Sequence, residues 1–195
     1  MTTAIYTHQS SLRHDTSPGH PEKIARIETV YAALSGDSYS ALERREAPLA
    51  TVDQLSRVHN GDYVKLIMDN IPEEGYARLD ADTIVSPGSG EAGLRAAGAI
   101  IAAVDDVVAG KIDNAFCAVR PPGHHAEPER GMGFCLFNNV AIGAMHARAA
   151  HGLQRVAIVD FDVHHGNGTQ AMFERDADTL FASSHQFPHY PGTGA

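Results

Sequence analysis

A chain of 195 residues, with 43% hydrophobic and 20% charged residues, has the length and composition of one globular domain with a buried core. Fifteen basic and 24 acidic residues give a net charge of −9, which argues against a basic nucleic-acid-binding face and is compatible with a cationic substrate. No apolar run approaches the roughly 18 residues of a membrane span, no secretion signal is recognisable, and two cysteines are too few for a disulfide framework. We therefore expect a cytoplasmic protein without membrane or nucleic-acid partners, and its oligomeric state stays open.

The first predicted elements follow from hydrophobic spacing and capping residues. Residues 4–8 form a short apolar run that predicts a strand, and Pro21 opens a predicted helix whose apolar residues recur at helical spacing. Thr51 and Gln54 have the spacing of a capping box, which predicts a short helix. Residues 62–70 predict another helix.

The second half of the chain alternates between helices and short apolar runs. Residues 89–110 predict the clearest helix, with apolar residues at a 3-4-3-4 spacing and a glycine at the end. Three predicted strands follow at 115–119, 155–159 and 179–182, with predicted helices between them at 138–151 and 169–174. Continuous apolar strands that alternate with helices are typical of a parallel sheet covered on both faces. We predict an open α/β fold in one domain spanning residues 1–195.

A first histidine-rich motif, residues 120–125 (RPPGHH), directly follows the predicted strand at 115–119. In parallel α/β sheets the ligand site lies beyond the carboxyl ends of the strands. Two prolines and a glycine stiffen the loop, and His124 and His125 suit proton transfer because an imidazole changes charge near neutral pH. An adjacent histidine pair is more often surface decoration, but the rigid loop and its strand-end position favour a functional role.

The second motif, residues 160–168 (DFDVHHGNG), places carboxylates at the end of an apolar strand. Buried carboxylates are costly unless they are paired, hydrogen-bonded or bound to metal. At the period of an extended strand, Asp160, Asp162 and His164 share one face, and a carboxylate with an imidazole suits zinc. The structural alternative is an aspartate that caps the next helix beside a core histidine. A zinc site beside the histidine pair predicts metal-assisted hydrolysis of an amide or a similar bond.

Both motifs, together with residues 133–139 (GFCLFNN), resemble successive signatures of the histone deacetylase family, and residues 190–194 (YPGTG) resemble the next one. Residues 19–22 (GHPE) are similar to the opening of class II-like bacterial members, which include acetylpolyamine amidohydrolases. The resemblance covers essentially the whole chain. It implies an arginase/deacetylase-like fold and zinc-dependent removal of acetyl groups from acetyl-lysine or acetylated polyamines.

The resemblance implies a role for each matching residue. Asp162 and His164 are implied zinc ligands. His125 is the implied general base, and later acid, of the reaction. His124 is implied to be its electrostatic partner, held by a hydrogen bond to Asp160.

Further positions are implied around this centre. Asn167 orients the general base, at a position where some family members have aspartate, and Phe134 and Tyr190 line a narrow tunnel for the acyl-lysine stem. A potassium ion near the zinc is implied to bind oxygens of Asp160, Asp162, His164 and Ser183. Asp80 or Asp82 is expected to bind the substrate backbone at the rim.

The third zinc ligand of the family, an aspartate, and its oxyanion-stabilising tyrosine have no counterpart up to Ala195. The resemblance therefore predicts a C-terminally truncated domain that is incomplete for catalysis, with an inert fragment or binding module of the same fold as the alternative. An arginase-like binuclear manganese hydrolase would need a second carboxylate-rich motif. A non-haem iron oxygenase would be expected on an all-β scaffold.

Overall fold

Strands and helices alternate along the chain in the structure, a computed structural model that describes residues 1–195. The strands are Thr3–Thr7 (β1), Glu43–Glu46 (β2), Ala77–Arg78 (β3), Ile84–Val85 (β4), Asn114–Cys117 (β5), Val156–Asp160 (β6) and Thr179–Ser183 (β7). The helices are Ile24–Leu34 (α1), Val52–Leu55 (α2), Gly61–Asp69 (α3), Ser89–Val108 (α4), Asn139–His151 (α5) and Asn167–Phe173 (α6), with 3₁₀ turns at Gln9–Leu12 and Asp37–Tyr39. None of these helices combines the length and the apolar character needed to span a bilayer.

The parallel strands are divided between two sheets. In the first sheet β1 lies between β2 and β5 and runs parallel to both. In the second sheet β6 pairs in parallel with β7, whereas β3 and β4 form a separate two-residue antiparallel pair. The α/β class and the parallel pairing are confirmed. The strand β2 was not predicted because its sequence is entirely charged, which suits an edge strand.

Helices cover the two sheets unequally. The first sheet has α1 packed on one face and α4 on the other. In the second sheet Ile158 packs with Phe173 of α6 on one face, but on the other face Val159 is 69% exposed and Leu180 is 64% exposed. Phe161, just beyond β6, is 89% exposed. The expected cover on both faces is therefore present for the first sheet, and one face of β6–β7 is bare.

The largest core cluster lies where α3, α4 and α5 meet. It contains Ala50, Leu55, Tyr63, Val64, Ile67, Val85, Ala97, Ile101, Leu136, Phe137 and Ile142. Two glycines allow close approach there, because a Cβ at Gly143 would lie 2.4 Å from Ile100 and a Cβ at Gly98 would lie 1.9 Å from the carbonyl oxygen of Pro48. This packing fixes the start of α5 and the loop of residues 133–138 that leads into it.

Capping residues set several helix boundaries. Thr51 and Gln54 form the predicted capping box at the start of α2. Asn138 caps α5 by accepting a hydrogen bond from the Ala141 N–H, and Gly152, with φ of 69°, ends that helix in the left-handed conformation.

The first helix begins later than predicted. It starts at Ile24 rather than at Pro21, because the preceding residues are drawn into other contacts. The backbone carbonyl of Glu22 accepts a hydrogen bond from the Thr16 hydroxyl, and the Glu22 side chain turns into the interior.

Candidate metal centre and paired histidines

The loops that follow β5 and β6 meet at the carboxyl ends of these strands. The rings of His124 and His125 lie with their centroids 4.0 Å apart. Because a carboxylate only accepts hydrogen bonds, His124 Nδ1 donates to Asp160 Oδ2, 2.8 Å away. Burial opposes ionisation of Asp160, but the hydrogen bonds from His124 and from the Asp162 N–H hold its pKa below the usual value.

His125 is buried, with only 4% of its surface exposed. Its Nδ1 lies 2.8 Å from Oδ1 of Asn167, the first residue of α6. Burial, with a smaller contribution from the imidazoles of His124 and His164, lowers the pKa of His125 to about 4. The ring is therefore neutral near pH 7 and able to accept a proton.

Asp162 and His164 converge just beyond β6. The strand ends at Asp160, so the alternation expected to place three side chains on one strand face does not continue. Instead, the carboxylates of Asp160 and Asp162 each accept the backbone N–H two residues ahead, which curves the chain. This curvature brings Asp162 Oδ1 within 3.1 Å of His164 Nδ1.

These two donor atoms fit a tetrahedral metal ion. Zinc bonds of about 2.0–2.1 Å place two tetrahedral ligands roughly 3.3 Å apart, close to the 3.1 Å between Asp162 Oδ1 and His164 Nδ1. Their side chains are 49% and 34% exposed, so a cation from solvent can reach them. His124 Nε2 lies 4.0 Å from the same aspartate oxygen. The chain thus supplies two zinc-type ligands beside the histidine pair.

One group of three metal-ligand residue types lies outside this centre. His146 and His151 of α5 each place Nε2 2.6 Å from Asp105 Oδ1 of α4. The guanidinium of Arg57, which only donates, contacts His146 Nδ1. His146 therefore carries its proton on Nε2 and donates it to Asp105. We interpret this group as a hydrogen-bonded link between two helices and assign no metal to it.

A cavity of about 450 Å³ opens beside the histidine pair. Its lining residues are Pro21, Glu22, Arg26, Asp82, Pro122, His124, His125, Gly133, Phe134, Asp162, His164 and Tyr190. Phe134 stands edge-on to His20, and Tyr190 stands edge-on to His125 with the ring centroids 5.0 Å apart. Burial raises the pKa of Tyr190. The two aromatic residues expected in a tunnel therefore share one cavity with the two expected zinc ligands.

The structure distinguishes between the two candidate rim aspartates. Asp80 forms an ion pair with Arg130 at 2.7 Å. Asp82 lines the cavity, where its Oδ1 accepts a hydrogen bond from the Gly133 N–H at 3.1 Å. Of the two, Asp82 is the one placed to meet a ligand in the cavity.

Two of the four expected potassium ligands, Asp160 and Ser183, lie on neighbouring strands and have protein partners. Ser183 on β7 is in register with Asp160 on β6. The carbonyl of Asp160 accepts the Ser184 N–H at 2.9 Å, and the Ser183 hydroxyl lies 2.8 Å from His185 Nδ1. The potassium site stays a prediction.

A buried ion pair that the sequence did not reveal anchors the histidine loop. Arg120, which is 3% exposed, donates from two nitrogens to both carboxylate oxygens of Glu22, which is 2% exposed. A third nitrogen of Arg120 donates to the Ser11 carbonyl at 2.7 Å. This two-pronged pairing fixes the residue at which the loop begins. The partners are 98 positions apart, so no local spacing could identify them.

The comparison with protein families agrees with this geometry. The sequence profile described as the histone deacetylase domain matches residues 20–195. The chain belongs to the histone deacetylase family. The binuclear manganese and non-haem iron alternatives are therefore set aside.

Known relatives of this deacetylase-family chain are longer than it. Histone deacetylase 14, chloroplastic, of Arabidopsis thaliana is 40% identical over 97% of the chain and 49% of its own length. A histone deacetylase-like amidohydrolase of Pseudomonas aeruginosa is 42% identical over 89% of the chain and 46% of its own length. The crystal structure of the HDA15 HD domain matches with a TM-score of 0.94 and 36% identity, covering 100% of this chain and 57% of that one. The chain thus spans about half the length of these relatives.

Proposed function

We propose that this chain forms the metal-binding and proton-transfer part of a zinc-dependent amidohydrolase that removes acetyl groups from acetyl-lysine or acetylated polyamines. The observation that carries the proposal is the convergence of Asp162 and His164 beside the cavity that His125 also lines. Membership of the deacetylase family supports the reaction class, as does the similarity to a relative named an amidohydrolase.

Asp162 and His164 are the residues that would hold the zinc. When bound, zinc supplies Lewis-acid polarisation of the amide carbonyl and of water. A catalytic zinc takes three protein ligands, and this chain supplies two, so we expect weak zinc binding and no turnover by the chain alone. An inert member of the family that keeps the fold is the second candidate. By resemblance, a potassium ion near Ser183 belongs to the same proposal.

The paired histidines would move the protons. His125 takes a proton from water at Nε2 while the water oxygen bonds to the carbonyl carbon, and it returns that proton to the amine nitrogen as the C–N bond breaks. The products are acetate and the free amine. His124 holds its Nδ1 proton against the carboxylate of Asp160 and lies beside His125 as its electrostatic partner.

The cavity favours an extended aliphatic amine as the substrate. The aromatic rings of Phe134 and Tyr190 offer apolar surface to an alkyl stem. The carboxylate of Asp82 complements either a peptide N–H or a protonated amine, and the net charge of −9 attracts cations. Both acetyl-lysine and an acetylated polyamine meet these requirements. A cytoplasmic location stays a prediction, since one relative is named chloroplastic.

The test is deacetylation by a chimera in which the chain is continued, after residue 195, by the segment that follows the matched region of the Pseudomonas aeruginosa relative. Acetate release from an acetyl-lysine peptide and from N-acetylputrescine is measured with zinc and after chelation. We expect zinc-dependent turnover that falls about 10²–10⁴-fold in His125→Ala. His151→Ala, which changes an imidazole outside the cavity, is the matched control. A chimera that binds zinc but hydrolyses neither substrate would contradict the proposal and favour the inert family member.

A further inference from the structure

Behind His125 lies a line of three hydrogen-bonded side chains. His125 Nδ1 is 2.8 Å from Asn167 Oδ1, and Asn167 Nδ2 is 2.8 Å from Glu127 Oε1. Asn167 is 8% exposed, so water has little access to its amide. Glu127 is itself anchored, because its N–H donates to the Arg130 carbonyl at 2.8 Å in a tight turn. The line therefore ends on a carboxylate whose backbone is held in place.

An asparagine alone does not determine which nitrogen of a histidine carries the proton. Turned one way, its carbonyl accepts from Nδ1–H, and turned the other way, its NH₂ donates to an unprotonated Nδ1. The second arrangement would place the proton on Nε2 and leave no lone pair on the nitrogen that faces away from Asn167. Hydrogen bonding between His125 and Asn167 is thus compatible with a ring that can act as a base and with one that cannot.

Glu127 removes this ambiguity. A carboxylate only accepts, so the NH₂ of Asn167 must point to Glu127. The sulfur of Met132, another acceptor, lies 3.5 Å from the same nitrogen. The carbonyl oxygen of Asn167 is left for His125, which must then carry its proton on Nδ1.

We propose that Glu127 is a positioning residue that holds His125 in its Nδ1–H tautomer through Asn167, so that Nε2 keeps its lone pair. The value of this tautomer for catalysis rests on the proposed function, but the tautomer itself does not. His124 is an internal reference, because its Nδ1 contacts the carboxylate of Asp160 directly. The carboxylate of Asp160 contacts His124 directly, whereas the carboxylate of Glu127 acts on His125 through Asn167.

The experiment is nitrogen-15 NMR of the imidazole rings in the 195-residue chain, without zinc or substrate, at pH 7.5. In the unaltered chain we expect His125 to show a protonated Nδ1 and an unprotonated Nε2, and His124 to show a protonated Nδ1. In Glu127→Ala the Nδ1 and Nε2 resonances of His125 should move toward each other, since both orientations of the Asn167 amide become available. Those of His124 should stay in place. Glu127→Gln, whose amide can also donate to Asn167, should give the same change if the alanine variant folds poorly.

A second substitution separates positioning from a general structural effect. Adding Asn167→Asp to Glu127→Ala places an acceptor-only group beside His125 and should restore the Nδ1–H signature. A His125 signature unchanged in both Glu127 variants would overturn the inference, as would failure of the double variant to restore it. Since no turnover is measured, an inactive chimera counts only against the proposed function. If the chimera shows His125-dependent turnover but the His125 tautomer is unchanged in the Glu127 variants, only the positioning role of Glu127 is contradicted.

Discussion

The loop after β5 and the loop after β6 both reach the cavity, yet they are held in different ways. The first begins at Arg120, whose charge is buried against Glu22, and it ends at the buried ring of His125. The second carries Asp162 and His164 on half-exposed side chains, and it leaves a sheet with one bare face. The groups proposed to transfer protons are therefore held by buried partners, whereas the expected metal ligands are held mainly by each other and by short-range hydrogen bonds.

The largest effect is expected from breaking the buried support of the first loop. Glu22→Ala leaves the guanidinium of Arg120 buried without a counter-charge, which should lower the free energy of unfolding by about 3–5 kcal/mol. Glu28→Ala, an exposed glutamate on α1, should change it by less than about 0.5 kcal/mol. Urea unfolding at pH 7 measures both variants. A similar loss of unfolding free energy in the two variants would show that the ion pair does not support the loop.

Substitutions in the second loop should affect metal binding far more than stability. Asp162→Ala or His164→Ala removes one of two zinc donors, so the zinc dissociation constant should rise at least about 100-fold. Without zinc, the free energy of unfolding should change by less than about 0.5 kcal/mol, because both side chains are half exposed. Calorimetric titration and urea unfolding give the two quantities. Unchanged zinc affinity in both variants would mean that the metal binds elsewhere. Asp105→Ala, in the group with His146 and His151, would then be the variant to compare.

Acid should lower the free energy of unfolding, because the buried imidazole of His125 resists protonation. The pKa of His125 is about 4 in the folded chain against the ordinary 6.5, so the unfolded chain binds more protons between these values. The contribution of this ring to the free energy of unfolding is therefore fully present above pH 6.5. It falls by about 1–3 kcal/mol as the pH drops toward 4. His125→Gln should remove the part of this decrease in unfolding free energy that His125 causes between pH 7 and 4.5. His14→Gln should remove a similar share, since burial also lowers the pKa of His14 to about 4.

The smallest effect on stability is expected on the bare face of the second sheet. Phe161→Ser should change the free energy of unfolding by less than about 0.5 kcal/mol, because this ring is 89% exposed. It should also raise the protein concentration at which light scattering detects aggregates. Phe173→Ser, the matched change on the covered face, should cost about 3–5 kcal/mol. Equal costs at both positions would mean that Phe161 is covered in solution.

Local sequence signals predicted much of the fold. The capping pair Thr51 and Gln54, the long apolar period of α4 and the stop at Gly152 each depend on residues close together in the chain. The two histidine motifs were also predictable as neighbours, because the carboxyl ends of parallel strands point to the same side.

Other features depend on partners that are distant in the chain. Arg120 finds Glu22 across 98 positions, and the division of the strands into two sheets depends on long-range pairing. The hydrogen bonds that link Glu127 to His125 through Asn167 could not be predicted either, since the sequence around Glu127 does not indicate that Asn167 lies beside it. The convergence of Asp162 and His164 was predicted for the wrong reason, because turns rather than an extended strand produce it.

The close packing at Gly98, against the Pro48 backbone, and at Gly143, where α5 meets α4, limits which substitutions this protein can accept. A methyl group at Gly98 would meet the Pro48 carbonyl, and one at Gly143 would meet Ile100, so a larger residue at either position would displace α4, α5 or the loop at Pro48. Since residues 133–138 lead into α5 and Phe134 lines the cavity, a displacement of α5 would reach the cavity wall. Alanine at either glycine should therefore lower the melting temperature of the chain and strain the wall of the cavity.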